Sequence, residues 1–197
     1  KNLIFTYESN LTNMKSFKPN SWLLPQPVLI IGTYDKNGKP NAMNAAWGSV
    51  YDYKKVMICL DESHKTTQNI KVKKAFTISF ADAKHVKECD YLGIVSGNEV
   101  PNKIEKAGFT VEKSSFVDAP VIKELPMTLE CKLIKFDDNG NIIADIVNVS
   151  ADEKILNDKG KIDPLKLEPI SYDGVGHKYL KVSEVVGNAF EDGKAIK

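Results

Sequence analysis

The sequence predicts a mainly β protein, an antiparallel barrel or sandwich with a few inserted helices. The first two thirds of the chain alternate apolar and polar residues with period 2, which is typical of strands with one buried face. Two Asp-x-Asn-Gly turns, at 35–38 and 137–140, each separate two such segments and predict hairpins. Because helices are inserted between hairpins and do not follow every strand, a doubly wound parallel sheet with a Rossmann cofactor site is disfavoured.

Each element follows from local pattern and from its flanking residues. Strands are predicted over residues 28–34, 41–50, 56–60, 75–80, 127–136, 142–150 and 179–182. Helices are predicted over residues 63–74, 83–95 and 101–107. The first helix follows a hydroxyl-rich segment, and the third has Pro101 at its start and Gly108 at its end. The chain from residue 151 onward is polar and rich in predicted loops.

Length and composition indicate an ordinary globular protein. With 197 residues, the chain is expected to form one domain over 1–197 that buries a single core. The apolar run at 27–32 is too short to span a bilayer, and no charged segment with a small-residue cleavage site precedes it. We therefore expect a cytoplasmic protein that does not contact membranes.

The charged residues, cysteines and histidines argue against a nucleic-acid partner, a disulfide framework and a metal site. The 27 basic and 26 acidic residues give a net charge of +1, so nucleic acid is not expected as a partner. All 27 basic residues are lysine, so any bound anion must be held by lysines, hydroxyls and backbone N–H groups. The three cysteines lie far apart, and the three histidines stand outside any metal-binding motif. We predict neither a disulfide framework nor a metal site.

The segment 41–49 has the residue types of a site for a flat ring with polar edges. Asn41 and Asn44 can donate hydrogen bonds to ring heteroatoms and accept them, and Trp47 offers an apolar face. Ala45 and the small residues beside it allow a ligand to approach the backbone closely. The alternative is a tightly packed strand with a core tryptophan, and the segment alone does not separate the two.

The segment 63–67 has the residue types of a phosphate site. A helix N-terminus presents unpaired N–H groups and the positive end of the helix dipole. Lys65 would add charge, and the hydroxyls of Ser63, Thr66 and Thr67 would add donors. The alternative is an ordinary helix cap, which by itself is the commoner use of serine and threonine before a helix.

Five segments in this order and spacing resemble the flavin reductase-like family. They read PVLIIGTYDKNGKPNAMNAAWGSV, SHKTTQNIKVKKAFTISF, PNKIEKAGF, LPMTLECKL and KYLKVSEVVGNAFEDGK, and the resemblance covers about residues 22–194. It implies an antiparallel Greek-key split barrel that binds FMN. It also implies a homodimer with FMN near the subunit interface.

The resemblance assigns roles to particular residues. It implies that Asn41, Met43 and Trp47 lie beside the isoalloxazine ring, that Lys65 and Thr66 lie at the phosphate, and that Lys103 and Phe190 lie near the cofactor. The two segments and the resemblance together predict as cofactor-binding residues Asn41, Met43, Asn44, Ala45, Trp47, Ser63, Lys65, Thr66, Thr67, Lys103 and Phe190. Family members often carry an arginine or a His-Asp pair on the substrate side, whereas this chain has only His177 near that position. A solvated loop position is the alternative for His177.

Two classes of function follow from the predicted cofactor. The first is a reductase in which FMN accepts a hydride from NAD(P)H and passes electrons to a second flavin, a ferric complex or another small acceptor. The second is an electron-transfer protein that exchanges electrons with a protein partner and does not react with NAD(P)H. A barrel that retains the fold and has lost the cofactor is a third possibility. No catalytic side chain is predicted, because the flavin itself carries the redox chemistry.

Overall fold

The computed structural model describes residues 14–196, and antiparallel strands are its main regular secondary structure. In chain order the strands are β1 (Gln26–Pro27), β2 (Leu29–Tyr34), β3 (Pro40–Ala45), β4 (Gly48–Asp52), β5 (Lys55–Cys59), β6 (Ala75–Phe80), β7 (Val111–Lys113), β8 (Pro120–Ile122), β9 (Met127–Phe136), β10 (Asn141–Ala151), β11 (Ile170–Asp173) and β12 (Lys178–Lys181). The α-helices are α1 (Lys65–Lys73), α2 (Val86–Ile94), α3 (Lys103–Lys106) and α4 (Pro164–Leu167). The predicted fold class, mainly β with inserted helices, is confirmed.

A seven-stranded sheet with the order β3-β2-β6-β9-β10-β5-β4 forms the centre. Its two edge strands, β3 and β4, follow each other directly in the chain. Strands β1, β11 and β12 form a separate three-stranded sheet, and β7 pairs with β8. In this part of the chain, residues 14–196, no helix is both long and apolar enough to cross a membrane.

Both predicted hairpins form, and their turns have the same chemistry. In the turn between β2 and β3, the carboxylate of Asp35 accepts hydrogen bonds from the N–H groups of Asn37 at 2.8 Å and Lys39 at 2.9 Å. Gly38 has a φ of +81°, which L side chains rarely adopt. Asp137 accepts in the same way in the turn between β9 and β10. The Asp-x-Asn-Gly sequence therefore fixes the register of both hairpins.

Strand β2 is buried on both faces, so the protein has two apolar layers. Leu29 and Ile31 face the interior of the curled sheet, where they join a cluster that includes Phe76. Ile30 faces the other way, into a cluster with Leu92 of α2. This second layer fixes α2 against the sheet beside β3.

A buried carboxylate anchors the segment that covers the outer face of β9. Glu130 is 1% exposed and accepts hydrogen bonds from the hydroxyls of Ser114 and Ser150 and from the amide of Asn148. Burial pushes the pKa of Glu130 up, but these hydrogen bonds outweigh it and hold the pKa below its usual value. The Ser114 contact holds the chain between β7 and β8 against the sheet.

The predicted strand 41–50 is wrong as a single element. Strand β3 ends at Ala45 and β4 begins at Gly48, and the two pair with different strands at opposite edges of the sheet. The carbonyl of Trp47 already accepts a hydrogen bond from the N–H of Cys59 on β5, at 2.9 Å. The change of partner lies in long-range pairing, which the alternation of residues does not record.

Other differences are smaller. The predicted helices are three to four residues too long, and four short strands, β1, β7, β8 and β11, were not predicted. Helix α4 was also missed, although Asp163 caps its N-terminus and Pro164 begins it. One domain over 1–197 stays a prediction, since residues 1–13 and 197 lie outside the described part.

Candidate functional site

A cavity of about 220 Å³ lies beside the edge strand β3. Strand β3 contributes Asn41 and Met43, and the start of α1 contributes Lys65 and Thr66. The opposite side consists of residues 92–97, the last turn of α2 and the loop after it, which we call the 92–97 wall. His64 and Lys103 complete the lining. We call this space the β3 cavity.

The N-terminus of α1 opens into the β3 cavity without a side-chain cap. His64 occupies the cap position and makes no capping hydrogen bond, and the first turn carries no acidic residue. Within a helix the first N–H groups have no carbonyl partner, and together with the helix dipole they attract anions. Lys65, the first helical residue, adds a positive charge at the same place. The cavity therefore has the electrostatics of an anion site.

The hydroxyls of the 63–67 segment divide into two sets. Thr66 is 1% exposed, and its hydroxyl accepts a 2.8 Å hydrogen bond from the Asn41 amide, which joins α1 to β3 across the cavity. Ser63 and Thr67 instead donate to Asp61, through its carboxylate and its backbone carbonyl respectively. Neither forms a helix cap, so the capping alternative does not hold for these side chains.

Gly97 brings the 92–97 wall into contact with the rest of the site. A Cβ atom at this position would overlap the amide oxygen of Asn41 and would lie 3.2 Å from the Cβ of Lys65. The wall therefore touches both β3 and α1, and any larger residue at 97 would push it away. The shape of the β3 cavity depends on this contact.

Lys103 lines the β3 cavity from α3 and is almost fully buried. Its ammonium group donates to the carbonyl of Leu92 at 3.0 Å and to that of Val95 at 2.8 Å. Burial lowers the pKa of Lys103 to about 8, because the charged form loses hydration. The residue is at the site, but its hydrogen bonds point to protein backbone.

A second cavity, of about 270 Å³, adjoins the first at Gly93, which lines both. Its polar groups come from Asn44 on β3, Asp90 on α2 and two tyrosines on the β11–β12 hairpin, Tyr172 and Tyr179. Tyr179 donates a 2.6 Å hydrogen bond to Asp90, and burial together with that carboxylate raises the pKa of Tyr179. The sequence analysis missed Asp90 and Tyr172, because no local pattern joins α2 to the hairpin, whereas Tyr179 is the residue expected from the sequence to close the space beside the ring in an electron-transfer protein.

A third cavity, of about 430 Å³, lies at the break between β3 and β4. Trp47, Met57 and Cys59 line it together with prolines 25 and 27. Ala46 lines both this cavity and the second one. The three cavities therefore follow one another along β3 and its continuation, in the order of the residues 41 to 47.

The structure gathers part of the predicted site and separates the rest. Five predicted residues line the β3 cavity: Asn41, Met43, Lys65, Thr66 and Lys103. Asn44 lies in the second cavity, Trp47 in the third, and Ala45 is packed in the core beneath the sheet.

Four further predicted residues do not line the β3 cavity: Ser63 and Thr67, which bond to Asp61, and Phe190 and His177. Phe190 is 94% exposed, with a φ of +65°. His177 is exposed too, and its Nδ1 is 2.9 Å from the hydroxyl of Tyr172, a residue of the second cavity.

The comparison with known proteins bears directly on this arrangement. The family model described as "Flavin reductase like domain" matches residues 22–172, which include all of the β3 cavity. The chain belongs to the flavin reductase-like family. The family resemblance predicted from the sequence is thereby confirmed.

Solved structures of flavin reductase-like proteins share the fold. Flavoredoxin of Desulfovibrio vulgaris (Miyazaki F) is 34% identical, with a TM-score of 0.89 over 92% of this chain and 100% of that one. Flavoredoxin from Methanosarcina acetivorans is 28% identical, with a TM-score of 0.83 over 94% and 100%. An FMN-binding domain of a flavin reductase-like enzyme from Shewanella baltica OS155 is 23% identical, with a TM-score of 0.74 over 82% and 88%. The predicted split-barrel fold is confirmed.

Proposed function

We propose that the chain is a flavoprotein that binds FMN in the β3 cavity, with the phosphate at the N-terminus of α1. The observation that carries this proposal is the uncapped helix start, with Lys65 and Thr66 lining a cavity that is partly open to solvent. A flavin phosphate brings close to two negative charges, which the helix end and one lysine can offset without an arginine. Membership of the flavin reductase-like family supports the same cofactor.

The residues present suit the length and chemistry of FMN. The β3 cavity alone, about 220 Å³, is smaller than most sites for drug-sized ligands. It fits the phosphate and the start of the ribityl chain, and the ring would extend along β3 into the adjoining cavities. Asn44 and Trp47 line those cavities, so the predicted ring residues stay in the proposal. Gly97 lets the wall approach Asn41 and Lys65 closely at the proposed phosphate end.

We propose further that the chain is an oxidoreductase that uses NAD(P)H and passes electrons to a small acceptor. Bound FMN would supply the hydride and electron chemistry. The chain's own part is to hold the cofactor and to leave one side of the ring open to a second flat molecule. The small residues Ala46 and Gly93 border the second cavity and give that access, and His177 stands at its rim through Tyr172.

The alternative is an electron-transfer protein, and one observation favours it. The second cavity is lined by Asp90 and by two tyrosines, and no lysine lies among its lining residues. A dinucleotide phosphate would find a carboxylate there and no cation to bind it. The two most similar structures reported above are both flavoredoxins, which agrees with this reading.

A second copy of the chain is the proposed partner, in a homodimer. The segment 183–196 is exposed throughout and carries large apolar side chains, among them Val186 at 92% exposed and Phe190 at 94%. Such side chains cost free energy in water and are typical of a contact surface. The Phe190 contact predicted from the resemblance would then be made to the partner subunit's cofactor or surface.

Two measurements on one preparation test these proposals. Titration of the protein with FMN is expected to quench flavin fluorescence and to shift the flavin absorption bands; absence of both contradicts the FMN proposal. Anaerobic stopped-flow mixing of the FMN-loaded protein with NADH, and separately with NADPH, is expected to bleach the flavin faster than free FMN. If neither nucleotide does so while a reduced electron-transfer protein does, the chain is an electron carrier.

A further inference from the structure

Lys103 is 3% exposed, and lysines are almost never so buried unless they are paired. Its partners are two backbone carbonyls, those of Leu92 at 3.0 Å and Val95 at 2.8 Å. Leu92 belongs to the last turn of α2, and Val95 is the cap residue after it. The ammonium group thus sits at the C-terminal end of a helix that it does not belong to.

The end of α2 needs such a donor. The last four carbonyls of a helix have no partner within the helix, and a positive charge near them interacts favourably with the helix dipole. The last turn of α2 carries no basic residue of its own. Lys103, from α3, supplies both the hydrogen bonds and the charge from outside the helix.

The carbonyls that Lys103 holds belong to the 92–97 wall. The same wall touches Asn41 and Lys65 through Gly97, which leaves no room for even one added carbon. A displacement of the wall by a fraction of an ångström would therefore alter the two elements that face the proposed cofactor. The buried ammonium is mechanically coupled to the site by one short stretch of backbone.

We propose that Lys103 is a positioning residue, which sets flavin affinity by holding the 92–97 wall in place and does not bind the phosphate itself. This inference rests on the proposed FMN site. Its competitor is direct binding of the cofactor by Lys103, which the family resemblance places near the cofactor. The two roles differ in which flavins they affect. The wall borders the β3 cavity and, through Gly93, the second cavity, where the ring is proposed to lie, so its displacement weakens the binding of both FMN and riboflavin. Loss of a direct contact with the phosphate weakens FMN and leaves riboflavin unchanged.

The decisive experiment replaces Lys103→Met, which keeps most of the side-chain length and removes the ammonium. The matched control is Lys106→Met, because Lys106 lies on the same helix and is exposed. Dissociation constants for FMN and riboflavin are measured by fluorescence quenching, and amide hydrogen exchange of 92–97 is measured on flavin-free protein. We expect Lys103→Met to weaken both FMN and riboflavin by about tenfold and to speed exchange in the wall, whereas Lys106→Met changes neither.

Two results would overturn the inference. Loss of FMN affinity with unchanged riboflavin affinity would make Lys103 a phosphate ligand. Unchanged hydrogen exchange in the wall of Lys103→Met would show that the ammonium does not hold it. The exchange measurement needs no flavin, so a wild-type protein that binds no flavin at all would contradict the FMN proposal and leave this result standing.

A wild-type measurement covers the case in which Lys103→Met does not fold. Burial alone lowers the pKa of Lys103 to about 8, so mild alkali removes the proton that the charge-assisted bonds require. The other titratable side chains that line the cavity are His64 and Lys65; β3 and the wall contribute none, and Glu105 and Lys106 on α3 are exposed.

Riboflavin, which has no phosphate, reports on the wall alone in this titration. We expect riboflavin affinity to fall as the pH rises from about 7 to 9, and to stay level in Lys103→Arg, whose guanidinium remains charged. A wild-type affinity that is constant over this range contradicts the inference.

Discussion

Lys65 is the residue on which the phosphate proposal can be tested most sharply. It is the first residue of α1, lines the β3 cavity and stands beside the uncapped N–H groups of the helix. The substitution Lys65→Ala removes the charge and leaves those N–H groups in place. Alanine is the best helix former, so the helix itself is not weakened.

The expected loss follows from the kind of bond that is removed. A hydrogen bond to a charged group contributes about 1.5 to 3 kcal/mol, and a phosphate is charged on the acceptor side as well. Each 1.4 kcal/mol is a factor of ten, so FMN should bind about 10- to 150-fold more weakly. Riboflavin has no phosphate and should bind Lys65→Ala as it binds the wild type.

The assay is fluorescence quenching of FMN and riboflavin at two salt concentrations, with Lys71→Ala as the matched control. Lys71 lies on the same helix, outside the cavity, where it pairs with Glu62 at 2.9 Å. Lys71→Ala and Lys65→Ala each remove one positive charge, so the two variants have the same net charge. The control should leave both affinities within about twofold, since exposed ion pairs contribute little. An equal loss of FMN and riboflavin in Lys65→Ala would refute the phosphate assignment, and a loss in the control would show a general effect of charge.

Three further predictions follow from other parts of the structure. Gly97→Ala should lower the affinity for both FMN and riboflavin at least tenfold with an unchanged far-ultraviolet circular dichroism spectrum, because the added carbon collides with Asn41; unaltered titrations would show that the wall is free to move. The folded pKa of Glu130 lies below its unfolded value near 4.5, so the stability that this carboxylate contributes is present above pH 4.5 and is lost as the pH falls through the folded pKa. In a plot of the urea-unfolding midpoint against pH, Glu130→Gln should therefore show a shallower fall on the acid side than the wild type. Parallel curves for the two proteins would count against this. Light scattering should give about twice the 21.9 kDa monomer mass, and the double variant Val186→Ser, Phe190→Ser should shift it toward the monomer; a monomeric wild type would contradict the proposed dimer.

The parts of the fold that were predictable are those with local causes. The turn at Asp35 and its counterpart at Asp137 each contain their own acceptor and a glycine with positive φ, so the hairpins could be predicted from four residues. The break at Trp47 could not be predicted in this way. It arises because β3 pairs with β2 at one edge of the sheet, whereas β4 pairs with β5 at the opposite edge.

In the candidate site too, the parts with local causes were predictable and the parts set by long-range contacts were not. The helix start near Lys65 was predictable to within two residues because the hydroxyl-bearing residues and the charge lie in one short segment. The 92–97 wall was not, because its contact with Asn41 joins the end of α2 to β3, and its sequence has no residue type that marks a ligand. The position of Lys103 near the cofactor was predicted only through the family resemblance, and its hydrogen bonds to the carbonyls at 92 and 95 were not predicted.

The position of the site explains why its sequence signal is so weak. Strand β3 is an edge of the seven-stranded sheet, so one side of its backbone has no neighbouring strand. An open edge invites another chain to pair with it, and proteins commonly cover such edges with a helix or a loop. Here α1 and α2 flank β3 on either side of the β3 cavity, and the cavity is the space that they leave. A ligand in that space meets backbone N–H groups, a glycine and helix ends before it meets any reactive side chain. Such a site suits a cofactor that supplies the reactive groups itself. Because the protein then needs few specific side chains, the site leaves little signal in the sequence.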